Sequence, residues 1–248
     1  MRNLFFLGLS LVCLFLSSCK DDPEEGTLTI NFKAVYDEQT LPTFSTRPFE
    51  NGQHLQFTNL SMYFTDIQLV QNSTVRDLRD VELVDMSFEN VTAAEEGYTI
   101  KLSNIPAGAY DAIRFGIGVP PDLNAKEPSD FPSNSPLSKT GYYWVAWDSY
   151  IFSKTEGRLD TTGSGTALDL GFALHTGSDA LFRSGQAPVP ITIEDGQETT
   201  LDILVDYKLL LAGVDIKNNP QNHNASDTAQ ISKIVNNYAN AISLILRP

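Results

Sequence analysis

Apolar and polar residues alternate over one segment after another of this chain, and a period of two admits little except half-buried β-strands. Leu28, Ile30, Phe32 and Ala34 set the pattern, which recurs over 55–70, 81–86, 98–102 and 110–119. It returns most regularly at Leu168, Leu170, Phe172 and Leu174, and at Leu201, Ile203, Val205 and Tyr207. Turn chemistry separates the strands at Asn51-Gly52, Pro106-Ala107-Gly108 and Asp195-Gly196. Closely spaced strands of this kind predict a mainly β chain folded as an immunoglobulin-like antiparallel β-sandwich. The pattern runs on without a linker or an internal repeat, so 27–248 is read as a single domain.

Two segments depart from the alternation. Pro120 to Thr140 holds five prolines among Ser, Asn and Asp, too long a stretch for a hairpin turn. A Pro-rich loop of that length inside a compact domain is often functional. Near the C-terminus, Ile231, Ile234, Val235, Tyr238, Ile242 and Ile245 recur at helical spacing after a Ser226 or Asp227 cap. That spacing predicts an amphipathic helix over 227–245, packed on the sandwich.

The N-terminus carries an address. Arg2, an apolar run from Leu4 to Leu16, and Ser17-Ser18-Cys19 form a signal peptide ending in a bacterial lipobox. The run falls short of the roughly 20 residues that span a bilayer. Residues 1–18 are therefore expected to be removed, with Cys19 lipidated and 19–26 a flexible tether. Two acyl chains suffice for stable anchoring. Lys20-Asp21-Asp22 resembles the lysine-acidic-acidic signal of surface-exported lipoproteins, which implies the outer membrane and exposure at the cell surface. An inward-facing outer-membrane lipoprotein is the alternative. The chain has two cysteines, Cys13 in the signal and Cys19 at the anchor. The folded domain thus has neither a disulfide nor a thiolate ligand.

With 17 basic and 31 acidic side chains and a net charge of −14, the surface repels phosphate backbones, which excludes nucleic acid as a partner. The acids are scattered and form no calcium loop. Catalytic signatures are missing too. Ser164 lies between Thr162 and Thr166 rather than in a G-x-S-x-G elbow, and no phosphate loop, H-E-x-x-H or dinucleotide glycine pattern occurs. The expectation is a non-enzyme; a hydrolase built on paired carboxylates has no motif behind it. His54, His175 and His223 are the three histidines, and neutral imidazole suits copper, zinc or nickel. His175 leads, because it ends the 168–174 strand before Thr176-Gly177, where a side chain can reach a site without disturbing the core.

The stretch 142–152 contains both tryptophans, and its plain reading is a heavily packed strand. Yet the order Pro136-Leu137, Gly141-Tyr142-Tyr143-Trp144, Tyr150-Ile151-Phe152, Glu156-Gly157 and Phe172-Ala173-Leu174-His175-Thr176-Gly177 resembles the MbnP-like family. Segments 60–69, 105–119, 214–216 and 234–240 fit the same family in colinear order. The family is named for a periplasmic copper-binding protein associated with methanobactin. The resemblance implies a copper site of histidines and a tryptophan oxidised to kynurenine by a partner di-haem, peroxidase-like enzyme. His175 matches the F-x-x-H-x-G histidine and Trp144 the first tryptophan of a W-x-W motif. His223 or His54 would complete the site. Two departures thin it: Ala146 occupies the second tryptophan's place, with Trp147 one position on, and Tyr143 stands where copper-binding members carry histidine. The competing expectation is a metal-free module that grips a glycan, peptide or partner protein through the long loop, Tyr143 and Trp147.

Overall fold

The alternating segments form strands in the computed structural model, which describes residues 24–165, 167–222 and 228–247. The signal segment, Cys19, His223 and the two expected helix caps lie outside the described residues. The chain runs β1 (Glu25–Tyr36), β2 (Gln39–Thr40), β3 (Thr46–Pro48), β4 (His54–Gln71), β5 (Thr74–Asp85), α1 (Val91–Glu96), β6 (Tyr98–Pro106) and β7 (Gly108–Ile117). There follow α2 (Pro121–Asn124), β8 (Tyr143–Trp144), β9 (Ser149–Asp160), β10 (Leu170–Gly177), β11 (Arg183–Ile193), β12 (Glu198–Asp206), α3 (Tyr207–Leu210), α4 (Thr228–Ala241) and β13 (Ile242–Arg247). β1 starts at Glu25, so the last two residues of the expected tether are strand.

One sheet has the order β13-β12-β1-β2, with β6 also on β1; the other has β10-β9-β4-β7-β11, with β3 and β5 on β4 and β8 on β9. The antiparallel sandwich expected from the sequence is present, with one exception among the strand pairs. β1 and β12 run parallel, from Thr27 opposite Glu198 to Val35 opposite Asp206. Between the sheets, Leu28, Ile30 and Phe32 of β1 meet Phe57 and Phe64 of β4, Phe172 and Leu174 of β10, and Leu201 and Ile203 of β12 in one buried cluster. Phe32 and Phe64 join the two layers with ring centroids 4.6 Å apart. Each such side chain contributes about 2 kcal/mol by leaving water.

The second sheet is buried on its other face as well. A separate cluster of Tyr63, Leu83, Val119, Leu137, Tyr150 and Phe152 lies there, under the Pro-rich segment. That segment is not extended: Pro121, Pro128 and Pro136 each open a short helical turn. A proline at the first helical position loses no hydrogen bond, and its fixed φ already suits the turn. The Tyr63 hydroxyl donates to the Pro136 carbonyl at 3.0 Å and that of Tyr150 to the Leu137 carbonyl at 2.8 Å, fastening the loop to the sheet.

The C-terminal helix is shorter than its periodicity predicts. Ile231, Ile234, Val235 and Tyr238 are buried on the inner side of α4, which packs against α3 and β10. The helix stops at Ala241, and Ile242, Leu244 and Leu246 continue as β13 on the open edge of β12. Ile242 and Ile245 satisfy a helical spacing, but Ile242, Leu244 and Leu246 satisfy a strand equally well, and the unpaired edge decides. Among the described residues no helix is long and apolar enough to cross a membrane.

A polar clasp closes the outer face of the first sheet. Asp202 on β12 is 1% exposed and accepts from Asn31 at 3.0 Å, Lys33 at 2.9 Å and Arg247 Nε at 2.6 Å. Burial pushes its carboxyl up, but the bonds from Lys33, Asn31 and Arg247 outweigh this and hold it below the ordinary range. Removing one partner of a buried ion pair leaves the other charged and dry. Asp202→Ala is expected to lose about 3 kcal/mol of stability, read from urea denaturation near neutral pH. A depressed carboxyl stabilises the fold above its unfolded pKa and ceases to do so as pH falls through the folded value. The gap between wild type and variant therefore narrows on acidification.

Candidate functional site

The loop-covered face of the second sheet also carries the residues with chemistry to offer. Alternation along β8 sends Tyr143 and Trp144 to opposite sides. Tyr143 joins the tyrosine cluster, with its ring 5.1 Å from that of Tyr150 and its hydroxyl donating to Asp148 at 2.8 Å. That hydrogen bond, with some burial, pushes the phenol up to about 12. Its hydroxyl proton is thus engaged within its own turn.

Trp144 leads into a 3₁₀ turn over Val145–Trp147, which ends at Asp148 in the left-handed region with φ 50°. Such a turn has three residues per revolution, so Trp147 returns to the side of Trp144. The two rings stack with centroids 4.7 Å apart and planes 14° apart. The aromatic stretch is therefore not one strand: its first half is a turn that builds a tryptophan pair, and only Ser149 onward is β9. Gly177 at the end of β10 makes room for it. A methyl group there would lie 2.8 Å from the Tyr150 carbonyl oxygen and 2.9 Å from the Trp147 ring.

His175 sits within β10, two residues before its end rather than at the turn, opposite Lys154 of β9. Its Nε2 is 2.7 Å from Glu156 Oε1, with the two side chains 12% and 29% exposed. The imidazole meets Trp144 edge-on at a centroid distance of 6.3 Å. The hydrogen bond to His175 leads in holding the Glu156 carboxyl below its ordinary range against desolvation, helped by the nearby Lys154 ammonium and by Asn59. Lys154 itself donates to the Gly141 carbonyl at 2.8 Å and lies 4.3 Å from the centre of the Tyr142 ring. The free edge of β10 receives the segment 220–222: Pro220 and Ala173 are hydrogen-bonded, and Asn222 donates from its side chain to the His175 carbonyl at 3.1 Å. Among the described residues, three buried polar atoms here have no hydrogen-bond partner: His175 Nδ1, Trp147 Nε1 and Asn222 Oδ1.

The other histidines fare differently. His54 pairs with Asp160 on β9, while His175 pairs with Lys154 six residues away on the same strand. At about 3.3 Å per residue that separates them by about 20 Å, so His54 cannot complete a site with His175. The His54 Nδ1 is also buried and unpartnered, but the neighbouring Asp160 carboxylate is filled by Thr162, Gly163, Ser164 and Gly165. Among the described residues no group of three His, Cys, Asp or Glu stands ready for a metal ion. Orphaned nitrogen on His175 nonetheless suits one imidazole ligand.

A family model named MbnP matches residues 25–226. The chain belongs to the MbnP family. Among solved structures, MbnP from Methylosinus trichosporium matches with a TM-score of 0.60 over 90% of this chain and 99% of that one. At 14% identity that likeness speaks for the MbnP fold alone. No curated protein matches.

Glu156 and Asn222 are the site residues that sequence reasoning missed. Glu156 lies inside a family motif, but nothing in the sequence says that it reaches His175 across a strand. A methyl at Gly177 should displace Trp147 from Trp144. Gly177→Ala is expected to abolish the coupled tryptophan signal in near-ultraviolet circular dichroism, and an unchanged spectrum would refute the packing constraint.

Proposed function

We propose that this MbnP-family chain is a non-catalytic lipoprotein that binds copper at His175, with His223 as a second nitrogen ligand and Trp144, intact or oxidised, at the rim. The observation that carries the reading is the buried His175 Nδ1, left without a hydrogen-bond partner beside the tryptophan pair. A buried acceptor with no partner costs about 1–3 kcal/mol, a cost that a bound ligand removes. Copper suits imidazole, and one imidazole alone binds weakly and without selectivity. His223 is the natural second ligand, because it follows Asn222, whose side chain bonds the His175 carbonyl. Family resemblance supports copper as the metal and a di-haem, peroxidase-like enzyme as the partner that would oxidise Trp144. Cys19 and Lys20-Asp21-Asp22 support a lipid anchor in the outer membrane, with the domain outside the cell.

One observation favours a second reading, a metal-free module for a glycan, peptide or protein. Val145, at the tip of the tryptophan turn, is 82% exposed, which leaves an apolar surface beside the half-buried ring pair. In that case Trp147→Ala would abolish partner binding while metal content stayed at background.

The copper reading predicts that the purified protein retains copper through dialysis, read by elemental analysis, and that His175→Ala and His223→Ala each lose it. Protein made beside its oxidising partner would show the mass change of tryptophan becoming kynurenine, one carbon lost and one oxygen gained, localised by peptide mapping to Trp144. A wild-type protein that keeps no copper sinks the reading.

A further inference from the structure

Glu156 has no role in the copper reading as it stands, yet it makes the shortest side-chain contact to His175. We infer that Glu156 is a positioning residue: it holds the His175 proton on Nε2 and thereby makes Nδ1 the metal-binding nitrogen. The inference rests on the copper reading for its metal and on local geometry for everything else.

The geometry leaves one consistent arrangement for the neutral ring. An ionised carboxylate only accepts hydrogen bonds, so a neutral imidazole 2.7 Å from Glu156 Oε1 must carry its proton on Nε2. Its lone pair then sits on Nδ1, the nitrogen that is buried and unpartnered. Flipping the ring about its Cβ–Cγ bond would put Cε1 where Nε2 now stands and break the Glu156 bond. The edge-on contact with Trp144 restrains the ring further. The backbone below is held from two sides, by the β9–β10 register and by the Asn222 bond to the His175 carbonyl.

Glu156 is itself kept available for this task. The nearest cation, Lys154, places its ammonium on the Gly141 carbonyl and over the Tyr142 ring. The hydroxyl of Tyr142 is in turn taken by Ser61 at 2.9 Å. Among the described residues the carboxylate thus faces His175 without a competing ion pair, and Asn59, opposite it on β4, helps to favour its ionised form. Outer partners of this kind typically change metal affinity by about 10–100-fold when removed, because they fix the tautomer and raise ligand basicity.

The test separates the tautomer from the metal. In metal-free wild type, nitrogen-15 NMR of the His175 ring is expected to show the Nε2–H tautomer. Glu156→Ala should give a mixture of tautomers, whereas Glu156→Gln, whose amide oxygen still accepts from Nε2–H, should keep the wild-type form. Competition with a chromophoric Cu(I) chelator should then show affinity falling about 10–100-fold in Glu156→Ala, with Glu156→Gln in between. Unchanged melting temperatures would establish that both variants fold. An Nδ1–H tautomer in metal-free wild type overturns the inference, as does Glu156→Ala with wild-type tautomer and affinity. A wild type that binds no Cu(I) but shows the Glu156-dependent Nε2–H tautomer refutes the copper reading and leaves Glu156 as the group that sets the ring.

Discussion

Burial of the second sheet on both faces is the constraint on which the rest depends. Its inner face is closed by the first sheet, in the ordinary manner of a sandwich. Its outer face would expose Tyr63, Tyr150 and Phe152 to water if the Pro-rich segment did not lie over it. The two tyrosine hydroxyls that bond loop carbonyls make the cover specific, since each satisfies a buried polar group on both sides. Prolines at the starts of helical turns lower the entropy lost in ordering a segment that would otherwise be costly to hold. A long loop has thereby become a third layer over part of one sheet.

The candidate site lies at the border of that layer. Where the cover ends, the tryptophan turn folds down beside the outward residues of β9 and β10, and His175 and Glu156 meet there diagonally across the strand pair. Membership of the MbnP family accounts for the sandwich, while the details at the border belong to this chain. A shift from W-x-W to W-x-x-W would separate two rings on a strand, because alternation would send them to opposite faces. On a 3₁₀ turn the same spacing brings them together, and Gly177 keeps the space open. The Asp202 clasp on the opposite sheet is far simpler in purpose. It ties β13, β12 and β1 together where the C-terminal strand would otherwise be a frayed edge.

Much of this was legible in the residues. The alternation at 28–34, 172–174 and 201–205 reports burial on one face, and those side chains are the core. Legibility failed where two periods fit equally well, as at Ile242 to Leu246, because the deciding partner was the edge of β12, a strand far away in sequence. It failed again at the aromatic stretch, where ring content suggests burial without distinguishing a strand from a turn. His175 stands beside Glu156 and the tryptophan pair, whereas the proposed pairing with His54 was a statement about distance, and distance along β9 depends on register.

The sequence by itself determined the strands, the absence of cysteine after Cys19, and which histidines and tryptophans the chain has to offer. These follow from local periodicity and from residue chemistry, which need no neighbour to be read. Only the tertiary structure decided that Glu156 faces His175, that Trp147 stacks on Trp144, that Asn222 closes the edge beside them, and that His54 stands about 20 Å off. Each of those facts is a meeting between residues on different strands or across a turn, and hydrogen-bond register and layer packing set such meetings without leaving a periodic trace in the chain.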